Sequence, residues 1–199
     1  MVEMYKYRKL NEIQKEDVLN YRKFVQLPLH EPPHFFDDII KTYILTASNF
    51  EHKNIMNTFE RRKSFEFLML KEISSIGDIF AWCVLPNHYH FLAKVNLKDF
   101  SRSIAKVHRK TAFEWNKEDK TMKRMVWFRY SDRKIRNSNH FWASVNYINS
   151  NPVKHHMVKN ALDWETSSIH GHIAEHGRDK LVQLWESYPV LDYGKGWDD

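Results

Sequence analysis

The hydrophobic and polar positions of the chain change their period several times along its length. Apolar residues that recur every three or four positions predict four helices, at 54–75, 99–115, 139–151 and 178–187. Short runs rich in β-branched and aromatic residues predict four strands, at 41–48, 78–85, 88–95 and 125–130. Pro86 and Asn87 separate the second and third strands, which predicts a tight turn between antiparallel neighbours. Asn54 is the predicted N-cap of the first of these helices.

The order of these elements predicts the fold class. It is strand, helix, strand, strand, helix, strand, followed by helices, which is the order of the split βαβ or ferredoxin-like motif. We therefore predict an α+β fold with a ferredoxin-like βαββαβ core and an antiparallel sheet. An N-terminal helix with a strap and additional C-terminal helices are expected to flank this core.

The residues before the first strand differ from the predicted core. Apolar positions within 1–27 fall on a helical repeat, whereas 27–34 (LPLHEPPH) contains three prolines, which prevent a continuous helix. We predict three parts: an N-terminal helix and proline-rich strap at 1–34, a core domain at 35–175, and a C-terminal helical tail at 176–199.

Composition narrows the class of protein. The 199 residues are 42% hydrophobic and 15% aromatic, which excludes a disordered chain. No apolar run approaches the roughly 20 residues of a membrane span, and the N-terminus lacks the apolar centre of a signal peptide. Cys83 is the single cysteine, which excludes a disulfide framework and a multi-cysteine zinc site. With 31 Lys and Arg against 25 Asp and Glu, the net charge is +6, so we expect a basic cytoplasmic protein that could bind nucleic acid.

His88 and His90 lie in the third predicted strand, within the sequence LPNHYHF. Residues two positions apart in a strand point to the same face, so we expect the two imidazoles side by side. Two neutral imidazoles at this spacing can share one divalent metal ion. The pair alone leaves open the alternative of a chance spacing among the 12 histidines of the chain.

Tyr147 and Asn151 lie in the predicted helix 139–151, within the sequence YINSNPV. A separation of four residues places them one turn apart on the same helix face. The amide oxygen of Asn151 could complete a metal site, and the Tyr147 hydroxyl could attack a phosphate that the metal polarises. In the alternative interpretation, Tyr147 packs in the core and Asn151 forms the end of the helix before Pro152.

At these residues the chain resembles the HUH-superfamily single-strand transposases, and most closely the REP-associated tyrosine transposases. The segment CVLPNHYHFLAKV is similar to the family's MPNHxHxL strand, and FWASVNYINSNPVKHHMV is similar to its YIxxNPV helix. DWETSS is similar to the family's Trp-x-x-Ser-Ser signature, and HEPPH, TASNFEH and FRYSDRKIRNSNHF also fit. The resemblance covers roughly residues 5–172.

The resemblance implies a reaction: transesterification of single-stranded DNA that depends on Mg²⁺ or Mn²⁺. It implies that His88, His90 and Asn151 hold the metal and that Tyr147 is the catalytic nucleophile. The expected products are a 5′-phosphotyrosine and a free 3′-hydroxyl, and reversal of the step joins strands without ATP. It further implies REP-type hairpins as partners, a nucleoid-associated location, and 35–175 as the catalytic domain. A homodimer and a monomer both remain open.

Three groups of basic residues are candidate DNA contacts. We interpret the first, Arg61, Arg62 and Lys63, as a solvated helix face. The second group has the three- and four-residue spacing of one helix stripe: Arg102, Lys106, Arg109 and Lys110. The third precedes the Tyr147 helix beside Trp127, Phe128 and Tyr130, and consists of Arg129, Arg133, Lys134 and Arg136. Cations beside aromatic rings suit single-stranded DNA, because phosphates attract cations and exposed bases stack on rings.

Several residues and two other functions remain open. Asp132 has either a structural role or a position close to the metal. The late histidines fit no standard zinc spacing, so we expect these five at the surface or the core edge: His155, His156, His170, His172 and His176. One alternative function is a catalytically inactive, domesticated protein that binds DNA hairpins. The other is an RNA-binding or RNA-processing protein of the same fold, although no RNP1-like aromatic strand motif is present.

Overall fold

The computed structural model describes residues 11–24, 39–190 and 193. The chain divides into two units, Met1–Phe35 and Phe36–Asp199. In the first unit, helix α1 spans Glu12–Phe24, and Asn11 caps it by accepting a hydrogen bond from the Gln14 backbone N–H at 2.9 Å. The rest of the predicted N-terminal helix and the proline-rich strap lie outside the described residues. The same holds for most of the last nine residues of the predicted tail.

The second unit contains four strands and five α-helices among its described residues. The strands are β1 (Lys41–Ser48), β2 (Gly77–Val84), β3 (His88–Val95) and β4 (Ser131–Lys134). The helices are α2 (Phe59–Ser74), α3 (Leu97–Glu118), α4 (Ser138–Lys154), α5 (Ile169–His176) and α6 (Arg178–Ser187). Single 3₁₀ turns lie at Phe50–His52 and Ala161–Asp163. In the described part of the chain, no helix combines the length and the apolar character needed to cross a bilayer.

The four strands form one sheet in the order β2-β3-β1-β4, and every neighbouring pair is antiparallel. The two central strands, β1 and β3, pair along their whole length, from Lys41 with Val95 to Ser48 with His88. This order, with α2 and α3 as the two crossover helices, is that of the split βαβ motif. The predicted α+β fold with an antiparallel sheet is confirmed.

Helices cover both faces of the sheet, so its central strands are buried on both sides. On one face, Leu45, Tyr89 and Phe91 pack in a core that includes residues of α2 and α3. On the other face, Ile44 and Leu92 pack with residues of α4. Side chains alternate along a strand, so His88 and His90 share the face of Leu92 and point toward α4.

The predicted strand at 125–130 is wrong, because β4 begins only at Ser131. The stretch before it crosses the end of β1 with a few separate hydrogen bonds: Phe50 N–H donates to the Val126 carbonyl and Phe128 N–H donates to the Ser48 carbonyl, both at 2.9 Å. Val126 and Tyr130 are buried in the core, which accounts for the strand-like apolar pattern without a regular ladder.

The predicted ends of three helices also differ from the structure, and α3 extends beyond 99–115 at both ends, to Leu97 and Glu118. Helix α2 begins at Phe59 and is capped by Thr58, whose Oγ1 accepts from the Arg61 N–H at 3.3 Å, so Asn54 is not the cap. Helix α4 continues through Pro152 to Lys154. Pro152 has no N–H to donate to the preceding turn, but the helix continues past it for two further residues.

The open edge of β2 is covered by the segment that resembles the Trp-x-x-Ser-Ser signature. Val84 N–H donates to the Thr166 carbonyl and Ser168 N–H donates to the Trp82 carbonyl, both at 2.9 Å. The Trp164 indole N–H donates to the Val84 carbonyl at 3.0 Å. These bonds satisfy backbone groups that would otherwise be exposed along an edge strand.

Candidate functional site

The structure places His88 and His90 side by side at the start of β3. Their ring centroids lie 5.1 Å apart at an interplanar angle of 77°, and both side chains are buried. Their position follows from the register of the two central strands, in which Ser48 pairs with His88 and Thr46 pairs with His90. The two imidazoles therefore lie near the end of the sheet, on the face that α4 covers.

Helix α4 brings Asn151 and Tyr147 to these histidines. The Oδ1 atom of Asn151 lies 3.2 Å from His88 Nε2. One turn earlier, the ring of Tyr147 packs edge-on against His90, with centroids 5.2 Å apart. Four residues from two distant parts of the chain thus meet at one place.

Neighbouring polar groups orient both imidazole rings. His90 Nδ1 is 2.7 Å from the Thr46 hydroxyl oxygen, and His88 Nδ1 is 2.7 Å from Asn87 Oδ1. Asn87 is held in turn, because its Nδ2 donates to the His52 carbonyl at 3.2 Å and its own carbonyl accepts from Asn49 N–H at 2.6 Å. With Nδ1 engaged in each ring, Nε2 is the nitrogen that a metal ion would take.

The donor set fits a divalent metal ion. Two adjacent ligands of an octahedral ion, each roughly 2.1 Å from it, lie about 3 Å apart, close to the 3.2 Å between His88 Nε2 and Asn151 Oδ1. The Nδ2 of Asn151 is buried without a hydrogen-bond partner among the described residues, an arrangement that costs free energy. Residues 11–24, 39–190 and 193 contain no group of three His, Cys, Asp or Glu that could hold a metal. A site here would therefore need the amide oxygen.

Tyr147 is fully buried, and two side chains cover it. Lys154 Nζ lies 3.5 Å from the Tyr147 hydroxyl oxygen and 5.0 Å from the centre of its ring. The ring of Tyr193 packs edge-on against Tyr147 at 5.6 Å, and its hydroxyl is 2.5 Å from Ser144 Oγ. A phosphate could reach the Tyr147 oxygen only after side chains over it move.

The basic residues before α4 divide between the two faces of the sheet. Arg133 pairs with Ile44 and shares its face toward α4, whereas Lys134 pairs with Tyr43 and Asp132 pairs with Leu45 on the opposite face. This register favours the structural interpretation of Asp132, because its side chain points away from the histidines. At the start of α4, burial and then the charges of Arg136 and Arg133 lower the pKa of His140.

The other two basic groups lie on α2 and α3, which pack on the sheet face opposite α4. The predicted stripe lies on α3, which packs on the sheet face opposite α4, and all four of its side chains are exposed. Three of them form surface ion pairs: Arg102 with Asp99, Lys106 with Glu72, and Lys110 with Glu114. In the first group, Arg61 binds Glu118 and Asp119, Arg62 lies 4.7 Å over the Trp164 ring, and Lys63 pairs with Glu66. That group supports the fold.

Five further residues lie at the site and were not predicted there from the sequence: Thr46, Asn87, Lys154, His155 and Tyr193. The ring of His155, expected at the surface or the core edge, packs against His88 with centroids 4.8 Å apart. A signal for His155 was available, because it lies one turn beyond Asn151. No sequence signal joins Thr46 to His90, since their contact depends on the register of two strands 44 residues apart.

Comparisons with known proteins support the resemblance. No family model matches the chain. It is 31% identical over 100 residues to the REP-associated tyrosine transposase of Escherichia coli (strain K12), covering 49% of this chain and 57% of that protein. A Haemophilus influenzae relative that carries the same family name is 32% identical over 101 residues, covering 45% of this chain and 57% of that protein.

A solved structure extends the comparison to the fold. The REP-associated tyrosine transposase bound to a REP hairpin aligns with a TM-score of 0.60 and 25% identity, over 74% of this chain and 87% of that chain. The matched regions span little more than half the length of the two curated relatives. The resemblance to REP-associated tyrosine transposases is confirmed, and so is the fold that it implies.

Proposed function

We propose that this chain is a tyrosine transposase that binds REP-type DNA hairpins and cleaves a single strand with Tyr147 as the nucleophile. One observation carries the proposal: Tyr147 and Asn151 of α4 meet His88 and His90 of β3. Relatives that carry the transposase name, and a related structure bound to a REP hairpin, support the DNA substrate. Binding of this DNA would associate the protein with the nucleoid.

The proposed reaction conserves the number of phosphoester bonds. The Tyr147 oxygen attacks the scissile phosphorus and loses its proton, the bond to the 3′ oxygen breaks, and that oxygen leaves as a free hydroxyl. The product strand carries a 5′-phosphotyrosine, and the reverse attack by a 3′-hydroxyl joins strands, so ATP is not needed. Mg²⁺ or Mn²⁺, held by His88, His90 and Asn151, would withdraw negative charge from the phosphate.

The side chains around Tyr147 support this role. A tyrosine hydroxyl ordinarily has a pKa near 10, so it is a weak nucleophile unless its negative charge is stabilised as it develops. The ammonium group of Lys154, 3.5 Å from the Tyr147 oxygen, is placed to stabilise that charge. In the joining step the same cation would stabilise the tyrosine oxygen as it leaves.

The two basic surfaces have separate tasks in the proposal. Arg129, Arg133 and Arg136 precede α4, and we assign them to the phosphates of the strand that is cut. The α3 stripe lies on the other face of the sheet, where its cations can exchange weak surface ion pairs for DNA phosphates. We assign this stripe to a more distant part of the hairpin.

A covalent-adduct assay tests the function. Wild-type protein incubated with an end-labelled hairpin that carries single-stranded flanks, with Mn²⁺ or Mg²⁺, should form a protein–DNA adduct that withstands denaturing electrophoresis. Tyr147→Phe should form none, whereas Tyr188→Phe, a matched change at a half-buried tyrosine, should behave as wild type. An adduct in Tyr147→Phe would contradict the nucleophile assignment.

The burial of Tyr147 favours a second candidate, a domesticated protein that binds the hairpin without cleaving it. In this case the contacts of Tyr193 and Lys154 with Tyr147 would keep the hydroxyl permanently covered. The same assay separates the candidates, because the second predicts hairpin binding by wild type without any adduct in either metal.

A further inference from the structure

Three aromatic side chains gather beside the candidate metal site, at the end of β1. The rings of Phe50 and Phe128 lie 4.9 Å apart at 41°, and the ring of His52 lies 6.5 Å from that of Phe128. Phe128 is 41% exposed, His52 is exposed and Phe50 is half-buried. We call these three residues the Phe128 cluster.

Hydrogen bonds tie the Phe128 cluster to the histidine strand. Phe128 N–H donates to the carbonyl of Ser48, the residue that pairs with His88. Adjacent strands lie about 5 Å apart, so the Phe128 backbone is roughly 10 Å from that of His88. Asn87 contacts both places, because its Nδ2 donates to the His52 carbonyl at 3.2 Å and its Oδ1 lies 2.7 Å from His88 Nδ1.

The backbone that carries His52 is strained. Glu51 and His52 both adopt left-handed conformations, with φ of 55° and 50°, which cost free energy in residues other than glycine. Strain of this kind persists where the surrounding structure imposes it, and it concentrates at functional sites. Here it accompanies a turn that leaves the His52 ring near Phe128 and its carbonyl bonded to Asn87.

The other aromatic residues of the same stretch point inward. Trp127 is half-buried and stacks on His108 with centroids 4.2 Å apart, and Tyr130 is buried. Phe128 is the most exposed ring of residues 125–130, and the exposed Arg129 follows it. The nearby carboxylate of Glu51 is neutralised by Lys53 at 2.6 Å. The cation of Arg129 suits a phosphate of a nucleic acid, and the exposed ring of Phe128 suits a base.

We infer that the Phe128 cluster is a stacking site for an unpaired base of the DNA strand that enters the active site. The inference rests on the proposed function and adds to it the surface that holds a nucleotide next to the scissile phosphate. Ring stacking tolerates any base, so this site would hold the strand without reading its sequence.

Binding of two DNA hairpins in the absence of metal tests the inference. One hairpin has a single-stranded flank of about six nucleotides with one 2-aminopurine, and the other is trimmed to its stem. We expect Phe128→Ala to lose roughly 5- to 100-fold in affinity for the flanked hairpin and little for the trimmed one. Stacking should quench 2-aminopurine fluorescence in wild type, and the substitution should relieve that quenching.

Two further variants and one control complete the test. Phe128→Trp keeps a stacking ring and should retain affinity, whereas Phe128→Leu keeps apolar bulk and should lose it, which decides the question if the alanine variant does not fold. Phe67→Ala removes a phenylalanine of α2 that is 65% exposed, against 41% for Phe128, and should change nothing. Equal affinity of Phe128→Leu and wild type for the flanked hairpin would overturn the inference while leaving adduct formation by Tyr147 intact. A wild type that binds neither hairpin would overturn the proposed function itself.

Discussion

At the residue scale, the chemistry of His88 and His90 depends on the atoms that engage their Nδ1 positions. Asn87 is adjacent in sequence to His88, whereas Thr46 reaches His90 across two paired strands at 2.7 Å. A hydrogen bond of this kind fixes the tautomer and the direction of a ligand imidazole, and its loss typically costs 10- to 100-fold in metal affinity. Thr46 is therefore the residue outside the proposed ligand set whose substitution tests this support most directly.

We predict that Thr46→Val lowers Mn²⁺ affinity roughly 10- to 100-fold, because valine keeps the shape of threonine but cannot hydrogen-bond His90. Titration calorimetry with Mn²⁺ would measure the change. Thr42→Val, the same substitution elsewhere in β1, should leave the affinity near that of wild type. Unchanged Mn²⁺ binding by Thr46→Val would show that His90 needs no support from this hydroxyl.

Lys154 is a second single residue with a predicted effect on the reaction, because its ammonium group lies 3.5 Å from the proposed nucleophilic oxygen of Tyr147. We predict that Lys154→Met slows adduct formation roughly tenfold or more and changes hairpin affinity by a much smaller factor, since the charge acts on the transition state. Lys154→Arg should restore part of the rate. Lys159→Met, which removes an exposed lysine five residues away, is the matched control. A proportional loss of affinity and rate in Lys154→Met would assign this lysine to DNA binding alone.

At the element scale, the sequence best predicts the helices and strands that are determined by their own local residues. Strands β1 and β3 and helix α6 begin and end where the sequence predicts them. The prediction at 125–130 is wrong because Val126 and Tyr130 are buried through contacts with distant elements, and burial alone resembles a strand pattern. The end of α4 is missed because Pro152 usually ends a helix but is tolerated in a last turn.

The candidate site follows the same distinction. The sequence places His88 beside His90, and Asn151 one turn from Tyr147, because both spacings are local. The spacing within each pair does not determine whether the two pairs meet, because that depends on α4 crossing the sheet face toward which β3 points its histidines. The residue types allowed Asn151 to complete a metal site, and the resemblance implied that it does. Tyr193 and Thr46 depend entirely on such long-range packing and could not be predicted.

Helix α3 contributes a half-buried histidine, packed against aromatic rings, that makes the fold sensitive to acid. His108 stacks on Trp127, and burial lowers its pKa from 6.5 to about 3. The folded state therefore binds a proton at His108 less tightly than the unfolded state does. The free energy of unfolding is accordingly at its full value above pH 6.5 and decreases as the pH falls from 6.5 toward 3.

We predict that unfolding in urea at pH 7 and pH 5 reveals this histidine. Between these two values His108 should account for a loss of up to about 2 kcal/mol in the free energy of unfolding. His108→Gln should be less stable than wild type at pH 7 but should lose less stability on acidification. His170→Gln, at an exposed position, should keep the wild-type pH dependence, and the same dependence in His108→Gln would contradict the prediction.

At the scale of the whole molecule, the positive charge is divided between the two faces of the sheet. Arg109 lies in the α3 stripe on one side, and Arg133 shares the α4 face with the histidines on the other. Neither the net charge of +6 nor the spacing of the cations reveals this division. The division arises because the chain passes from one face of the sheet to the other between α3 and α4. A hairpin that contacts both surfaces must reach around the edge of the sheet.

Salt dependence can establish whether both surfaces contact DNA. Each phosphate contact adds about 0.9 to the slope of the logarithm of affinity against the logarithm of salt concentration for a duplex, and about 0.7 for a single strand. We predict that Arg109→Ala and Arg133→Ala each weaken binding of a flanked hairpin and each lower the slope by nearly one. Lys71→Ala, at an exposed position of α2, should leave the slope unchanged. Only Arg133→Ala should also lose affinity for the isolated single-stranded flank, because Arg133 lies on the sheet face that is covered by α4, the helix of Tyr147. If Arg109→Ala leaves the slope intact while Arg133→Ala lowers it, the DNA stays on one face and the α3 stripe is only a solvated surface.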